Sequence, residues 1–228
     1  SALIKCRSIT PTSAGSIDLI ISYLEPMGFT CTKIDFGQGD EKVENLYARF
    51  GSLEPNICFA GHVDVVPTGD EQSWSIDPFG GEIKKGKIWG RGAADMKSGI
   101  AAFIAAVSEF METNKNLKDY GSISFIITSD EEGKAINGTK KVVEWLINKS
   151  EKISGCLVGE PTNVNQMGDT IKIGRRGSFT GSLIVKGIQG HVGYPDLAEN
   201  PINSLLKMLE PFAKIYLDKG TNEFQPSS

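Results

Sequence analysis

Apolar residues along this chain recur with two spacings, one typical of helices and one typical of strands. The first helix is predicted where they follow helical spacing: Ile17, Ile20, Ile21 and Leu24. It ends at the turn signal Pro26-Met27-Gly28. Strands are predicted over residues 29–36, 46–50 and 56–60. The last of these is nearly all apolar, which indicates a strand buried on both faces.

A second, longer helix is predicted by a further set of apolar residues at helical spacing: Ile100, Phe103, Ile104, Val107 and Met111. The alanines between them indicate a helix that packs closely on a sheet. A hairpin is predicted over residues 82–89, strands over 122–128 and 155–159, and a third helix over 142–147.

Strands that alternate with helices over this length predict an α/β fold, whose ligands bind at the carboxyl ends of the strands. The character of the chain changes near Arg176, where we predict a domain boundary between residues 1–176 and 177–228. Beyond it, residues 178–186 have a strand-like pattern and Asn200-Pro201 is a good helix start. One strand and one helix cannot bury a core alone, so we interpret this part as the beginning of a smaller domain.

Composition and charge exclude several classes of protein. The 228 residues carry 24 Lys and Arg against 28 Asp and Glu, so the chain lacks the basic excess that phosphate-backbone binding requires. The longest apolar runs, residues 100–107 and 123–127, are far shorter than the roughly 20 residues that cross a bilayer. We therefore expect no nucleic-acid partner and no membrane span.

The opening residues 1–7 show neither the apolar core nor the cleavage pattern of a signal peptide, which predicts a cytoplasmic protein. Four cysteines lie far apart, without Cys-x-x-Cys spacing and mostly among apolar neighbours: Cys6, Cys31, Cys58 and Cys156. This pattern predicts reduced, partly buried thiols that carry no chemistry.

Histidine is scarce, and the two histidines, His62 and His191, each follow a glycine. His62 comes at the exit of the strand predicted over residues 56–60. Carboxylates further along the chain also lie in loops that adjoin apolar segments: Asp95, Glu131, Glu132 and Glu160. One imidazole and several carboxylates gathered at strand ends predict a metal site.

The predicted ligands suit Zn²⁺, with Mn²⁺ or Co²⁺ as substitutes. If Asp95 bridges, its two oxygens can hold two ions at roughly 3.5 to 4 Å. Asp64 lies two residues after His62, so in a continuing strand it points to the same side and can hold the second imidazole nitrogen. Glu131 and Glu132 point in different directions, so one can bind metal while the other removes a proton from a water.

Each of these motifs has an ordinary explanation when taken alone. A single Gly-His is more often a turn histidine, Asp-Glu-Glu is usually a solvated charge run, and Gly-Glu-Pro is common in turns. Their occurrence together and in order, each at a strand exit or a helix entry, favours the metal site. The pair Arg175-Arg176 stays open between a solvated basic pair and a clamp for a substrate carboxylate.

The same residues resemble the metal-dependent aminoacylase and carboxypeptidase family of di-zinc amidohydrolases along nearly the whole chain. Four motifs carry the resemblance: Gly-His-Val-Asp-Val-Val-Pro at 61–67, Gly-Arg-Gly-Ala-Ala-Asp-Met-Lys-Ser-Gly at 90–99, Asp-Glu-Glu-Gly at 130–133 and Gly-Glu-Pro-Thr at 159–162. The resemblance implies an α/β catalytic domain with a mixed sheet flanked by helices, as in zinc exopeptidases, followed by a smaller α+β dimerisation domain.

The resemblance also implies roles for individual residues. Two zinc ions share four protein ligands: His62, Asp95 and Glu160 for one ion, and Asp95 and Glu132 for the other. Glu131 is implied as the general base, with Asp64 behind His62. A small-molecule dicarboxylate amide is the implied substrate, contacted by three residues: Arg175, Ser178 and Tyr194. His191 is implied to reach the active site of the partner subunit and polarise the amide carbonyl, so a homodimer is part of the mechanism.

Within the family, three segments are most similar to those of the enzymes that cleave N-succinyl-LL-diaminopimelate to succinate and LL-diaminopimelate: residues 168–172, 174–178 and 185–195. One departure concerns the second zinc ion, which in the family takes a histidine near the C-terminus that this sequence lacks. We therefore expect a piece of a longer enzyme, with at most one tightly bound zinc ion. Two alternatives stay open: an acetylornithine deacetylase or related aminoacylase or dipeptidase, and a non-catalytic metal-binding or dimerising fragment.

Overall fold

The computed structural model describes residues 1–174, 177, 180–215, 217–222 and 224. The chain divides into two compact units, Ser1–Asn163 and Val164–Ser228. The domain boundary near Arg176 stays a prediction.

The first unit holds seven strands in its described residues: β1 (Thr30–Phe36), β2 (Val43–Phe50), β3 (Asn56–His62), β4 (Glu82–Lys84), β5 (Lys87–Trp89), β6 (Ser122–Thr128) and β7 (Gly155–Val158). Five of them form one sheet in the order β1-β2-β6-β3-β7, and β4 and β5 form the predicted hairpin. β1, β2 and β6 are antiparallel neighbours, whereas β6, β3 and β7 run parallel. The sheet is therefore mixed, which confirms the predicted fold class.

This unit also contains four described α-helices: α1 (Ala2–Lys5), α2 (Ser16–Leu24), α3 (Ser98–Thr113) and α4 (Thr139–Asn148). The last three confirm the helices predicted from apolar spacing. The spacing does not predict α1, because four residues are too few to show a helical period. Across the described part of the chain, no helix is both long enough and apolar enough to cross a membrane.

Helices cover the sheet on both faces, because successive side chains of its central strands point to opposite sides. Phe59 of β3 and Phe125 of β6 pack with Ile100 of α3 on one face. Their sequence neighbours Cys58 and Ile126 pack with buried residues of α4 on the other face. The middle of β3 is thus buried on both faces, as its apolar pattern predicts.

Helix α3 contacts the sheet along a narrow stripe, on which Ile100 and Val107 are buried and Phe103 is partly buried. The alanines between these residues are exposed: Ala101, Ala102, Ala105 and Ala106. The expected role of these alanines in packing on the sheet is therefore wrong. A helix turns by about 100° per residue, so the alanines lie roughly 100 to 160° away from Ile100 and face solvent once Ile100 and Val107 face inward.

The register of the parallel strands brings three functional segments to one edge of the sheet. His62 at the end of β3 pairs with Thr128 at the end of β6, and Ala60 pairs with Val158 at the end of β7. His62 ends β3, and the segments that follow β6 and β7 carry Glu132 and Glu160, so three of the four predicted ligands lie at this edge. Because parallel strands end at the same edge, these segments leave the sheet side by side.

The second unit contains helix α5 (Pro201–Phe212), which begins at the predicted start. The side-chain oxygen of Asn200 accepts a hydrogen bond from the Ile202 N–H at 3.0 Å. This bond satisfies one of the free N–H groups at the start of the helix, and the proline that follows Asn200 has no N–H to satisfy.

The strand predicted over residues 178–186 is wrong in the part that is described, residues 180–186, where no strand forms. A strand needs a hydrogen-bonded neighbour for its main-chain groups. Among the described residues of this unit, the one β-type pairing is the bridge between Ile188 and Glu199. A strand-like pattern without a partner strand is therefore not sufficient to form a sheet.

Candidate metal centre

His62 is held in a fixed orientation at the carboxyl end of β3. Its side chain is 1% exposed, and its Nδ1 lies 2.9 Å from the main-chain carbonyl oxygen of Asp64. A carbonyl oxygen only accepts, so Nδ1 carries the proton and donates, which leaves the lone pair of a neutral ring on Nε2. The Asp64 carboxylate lies 3.6 Å from Nδ1. The carbonyl therefore makes the shorter contact, whereas the sequence predicts this role for the side chain.

Three carboxylates surround Nε2 of His62. Asp95 Oδ1 lies 3.0 Å away, Glu160 Oε1 3.5 Å away and Glu131 Oε2 3.9 Å away. One ligand atom from each of His62, Asp95 and Glu160 lies within 4.8 Å of the other two, so a single ion can contact all three. Glu132, the remaining predicted ligand, does not belong to this cluster.

The charges of the cluster favour a bound cation. Burial raises the pKa of Glu160, and the Asp95 charge raises it further, to about 7. Burial and Asp95 also raise the pKa of Glu132. Burial by itself lowers the pKa of His62, but its hydrogen bonds to Asp64 and the Glu160 charge outweigh burial and raise it to about 9. A divalent cation relieves this crowding of negative charge, and the nitrogen and oxygen donors fit Zn²⁺, Mn²⁺ or Co²⁺.

Asp64 is fully buried and orients the segment that carries Glu131 and Glu132. Its carboxylate accepts hydrogen bonds from the Glu131 N–H at 3.2 Å and from the Glu132 N–H at 3.0 Å. Burial by itself raises the pKa of Asp64, but the contact with His62 and these two N–H groups outweigh burial and lower it. Asp64 thus links His62 to both glutamates.

Asp130, directly before the two glutamates, fixes the loop that follows them. Its side chain is buried, and its carboxylate accepts hydrogen bonds from the N–H groups of Ala135, Ile136 and Asn137 at 3.0 to 3.1 Å. Three main-chain donors on one carboxylate restrict the loop to one conformation. No role for Asp130 is predicted from the sequence, because nothing in the Asp-Glu-Glu motif shows which of its carboxylates is buried.

Met96 is a second residue whose role is not predicted from the sequence, although it lies within the motif at residues 90–99. It is fully buried, and its Sδ accepts a hydrogen bond from the His62 N–H at 3.2 Å. A methyl group added at Gly61 would lie 2.5 Å from Met96 Cε, and one added at Gly159 would lie 2.8 Å from it. Each of these glycines directly precedes a ligand of the cluster, and Met96 directly follows the third. The glycines are the sequence signal for this close packing.

We expect Gly159→Ala to destabilise the protein by about 1–3 kcal/mol, the usual effect of overpacking a dense core. The added methyl group would press on the Phe59 ring and on Met96. Phe59 cannot swing aside, because it is buried and its ring stacks on Phe103 with the centroids 4.6 Å apart. The free energy of unfolding in urea measures the loss.

Gly155→Ala is the matched control, since Gly155 belongs to the strand that leads to Gly159. Its added methyl group would lie 3.6 Å from Ile57 Cδ1, an ordinary contact. We expect its free energy of unfolding to change by less than about 0.5 kcal/mol. Equal losses in the two variants would contradict the close-packing account of Gly159.

Two of the predicted substrate and catalytic residues, His191 and Tyr194, lie in one turn of the second unit. The Tyr194 N–H donates to the His191 carbonyl oxygen at 2.9 Å, and the Gly193 N–H donates to His191 Nδ1 at 2.9 Å. Both side chains are exposed, and their ring centroids are 5.6 Å apart. The other two predicted substrate contacts, Arg175 and Ser178, lie outside the described residues.

Curated relatives match nearly the whole chain. The succinyl-diaminopimelate desuccinylase of Rhodospirillum centenum is 56% identical over 227 residues, which are 99% of this chain and 58% of that protein. Proteins of the same name from Pelagibacter ubique and Parvibaculum lavamentivorans are 53% and 51% identical over 99% of this chain. The matches cover 59% and 56% of the length of these two proteins. The chain thus spans somewhat more than half the length of these relatives.

Solved structures share the fold. Human carnosine dipeptidase 1 is 25% identical, with a TM-score of 0.58, and the match covers 69% of this chain and 36% of that one. The M20 family metallo-carboxypeptidase Sso-CP2 from Sulfolobus solfataricus is 20% identical, with a TM-score of 0.56, over 69% of this chain and 35% of its own. At 20% identity that likeness shows the fold alone.

A sequence model described as Peptidase family M20/M25/M40 matches residues 58–225, which include the metal cluster and most of the second unit. The match covers well over half of the chain and agrees with the resemblance carried by the four motifs. The chain therefore belongs to peptidase family M20/M25/M40, a metal-dependent family.

Proposed function

We propose that the full-length protein hydrolyses the amide bond of N-succinyl-LL-diaminopimelate and releases succinate and LL-diaminopimelate. The convergence of His62, Asp95 and Glu160 beside parallel strand ends is the observation that carries this proposal. The names of the relatives support the substrate and favour it over acetylornithine. Because the chain spans 58% of the Rhodospirillum relative, the proposal concerns the whole protein.

Zn²⁺ is the proposed cation, with Co²⁺ or Mn²⁺ as substitutes. His62, Asp95 and Glu160 are the proposed ligands of one ion, and Asp95 and Glu132 those of a second. When bound, the cation supplies Lewis-acid stabilisation of the negative charge that develops on the amide oxygen. Nε2 of His62 faces the carboxylates because Nδ1 donates to Asp64, so the ring needs no reorientation to bind a cation that takes the place of the Nε2 proton.

Glu131 is the proposed general base and acid. Its Oε2 lies 3.9 Å from His62 Nε2, so the carboxylate stands beside the metal ligands, and its side chain is 38% exposed, so water reaches it. In the proposed reaction Glu131 accepts a proton as the water oxygen bonds to the amide carbon. It then delivers this proton to the amine nitrogen as the carbon–nitrogen bond breaks. Asp64 supports this role by holding the Glu131 N–H.

His191 is the proposed donor to the developing oxyanion, in the active site of the partner subunit of a homodimer. The Gly193 N–H donates to His191 Nδ1, so the proton of the neutral ring sits on Nε2. This tautomer presents an Nε2–H donor, which is the group that an oxyanion requires. Residues 177–228 are accordingly proposed as the start of the dimerisation domain.

Arg175, Ser178 and Tyr194 are proposed as the substrate contacts. A guanidinium group binds a carboxylate through two parallel hydrogen bonds, and the succinyl substrate carries more carboxylates than an acetylated one. This difference in charge gives the proposal its experimental test.

We expect the full-length protein to hydrolyse N-succinyl-LL-diaminopimelate with a kcat/KM roughly 10- to 100-fold higher than that for N-acetylornithine. One hydrogen bond to a charged group contributes about 1.5–3 kcal/mol, which sets this range. The Arg175→Met variant should lose most of the preference, and chelated protein should hydrolyse neither compound. A higher kcat/KM for acetylornithine would instead support the deacetylase alternative.

A further inference from the structure

The N-terminal segment, residues 1–10, contacts two of the segments at the candidate metal centre, the loop after His62 and the loop of Asp95. Its second half runs beside the residues that follow His62. The Val65 N–H donates to the Ser8 carbonyl oxygen at 2.9 Å, and the Thr10 N–H donates to the Val65 carbonyl oxygen at 3.0 Å. The buried Ser8 hydroxyl donates to the Val63 carbonyl oxygen at 2.6 Å. These bonds fix the segment that includes Asp64.

The first half of the N-terminal segment is bound by Lys97, two residues after Asp95. Lys97 is 1% exposed, although lysine is almost never fully buried without partners. Its Nζ donates to the carbonyl oxygens of Leu3 and Cys6, each at 2.9 Å. Leu3 lies in α1, and Cys6 caps its C-terminal end. Each carbonyl also accepts one main-chain N–H, from Cys6 at 3.2 Å and from Ser8 at 2.8 Å, so Lys97 supplies a second, charged donor to both.

The two loops also meet each other at Gly92. A methyl group added there would lie 2.6 Å from a Val65 side-chain carbon and 3.2 Å from Lys97 Cδ. The Lys97 N–H donates to the Gly92 carbonyl oxygen at 3.0 Å. The stem of Lys97 is therefore packed where the loop after His62 and the loop of Asp95 adjoin, while its ammonium group reaches α1.

We propose that Lys97 is a positioning residue for the metal centre. By joining α1 to the Asp95 loop, Lys97 sets the distance between Asp95 and His62. This inference depends on the proposed metal ligands. The 3.0 Å between Asp95 Oδ1 and His62 Nε2 is the distance that Lys97 maintains. The Asp95 side chain is 50% exposed and its backbone departs from helical geometry, so its position depends on the two buried residues that follow it, Met96 and Lys97.

The test is metal affinity in Lys97→Met, which keeps the length of the side chain and removes its three donors. Competition titration of the metal-free full-length protein with Zn²⁺ should show roughly 10- to 100-fold weaker binding, the usual effect of losing a group that orients a ligand. The visible absorption of bound Co²⁺ should also change, because it reports the geometry of the ligands. Lys97→Gln retains an N–H donor, so its affinity for Zn²⁺ should lie between those of Lys97→Met and the wild type. If Lys97→Met does not fold, Lys97→Gln takes its place in the test.

Two further variants distinguish failure of the Lys97 proposal from failure of the proposed metal site and from a general loss of stability. Val142→Ala removes buried side-chain atoms from α4 on the opposite face of the sheet, so it lowers stability without touching either loop. It should keep wild-type affinity and the wild-type Co²⁺ spectrum. Wild-type affinity and spectrum in a folded Lys97 variant would overturn the positioning role, while loss of binding in His62→Ala would show that the metal site itself stands. Unchanged binding in His62→Ala would overturn both.

Discussion

Glu131→Gln in the full-length protein is expected to lower kcat for the succinylated substrate by roughly 10²- to 10⁴-fold, the range that a general acid–base group contributes. The amide of glutamine keeps the shape of the side chain but cannot accept the proton of the attacking water. Metal content should not change, because Glu131 Oε2 is the farthest of the three carboxylate oxygens from His62 Nε2, at 3.9 Å. Steady-state kinetics and metal analysis of the same sample measure both quantities.

The neighbouring position provides the matched comparison. Glu132 carries the same side chain, and both glutamates donate main-chain N–H groups to Asp64, so neither Glu→Gln change removes these bonds. Glu132 is a proposed ligand of the second ion, so Glu132→Gln should weaken metal binding as well as turnover. Glu109→Gln, on the exposed side of α3, should change neither. Unchanged turnover in Glu131→Gln, or lost metal in that variant, would show that the base has been assigned to the wrong residue.

The approach of His62 to Glu160 could be predicted from sequence, because two local patterns imply it. Each residue follows a short apolar run, and each run forms a strand of the same parallel set. Parallel strands end at one edge of the sheet, so two local observations give a contact between distant residues. The 3.5 Å between His62 Nε2 and Glu160 Oε1 agrees with that prediction.

Contacts to main-chain atoms could not be predicted in the same way. Lys97 binds the carbonyls of Leu3 and Cys6, and the closest partner of His62 Nδ1 is the carbonyl of Asp64 rather than its carboxylate. Every residue has a carbonyl, so no residue type marks the acceptor in the sequence. The support of the ligands therefore becomes visible only when the fold places the main chain.

Packing direction and strand pairing set two further limits. Spacing predicts α3 and the stripe that it buries, but the small size of an alanine does not show which way it faces, and the alanines beside Ile100 are exposed. Residues 180–186 have the composition of a strand, yet they form none among the described residues. A helix satisfies its own main-chain groups, whereas a strand depends on a partner that its own sequence does not specify.

Replacing His62 or His191 by alanine should have different effects, the first on metal binding and stability and the second on kcat. His62→Ala removes the proposed nitrogen ligand, so tight metal binding should be lost, and with it the metal-dependent part of the stability. A ligand present at a hundred times its Kd stabilises the native state by about 2.7 kcal/mol. Added Zn²⁺ should therefore stabilise the wild type by about this increment in thermal unfolding, and His62→Ala should show none of it. His191→Ala should keep the whole increment, while its kcat falls by roughly 10²- to 10³-fold through loss of one oxyanion donor.

Mixing subunits tests whether His191 acts across the dimer. In a hybrid of a His191→Ala subunit and a Glu131→Gln subunit, one of the two active sites combines an intact Glu131 with an intact His191 from the other subunit. Random pairing of two inactive variants should then restore about a quarter of wild-type activity, since half of the dimers are hybrids with one working site each. If His191 acted within its own subunit, each active site of the hybrid would lack one of the two groups. Co-produced variants that form dimers and remain inactive would therefore place His191 outside the partner's active site.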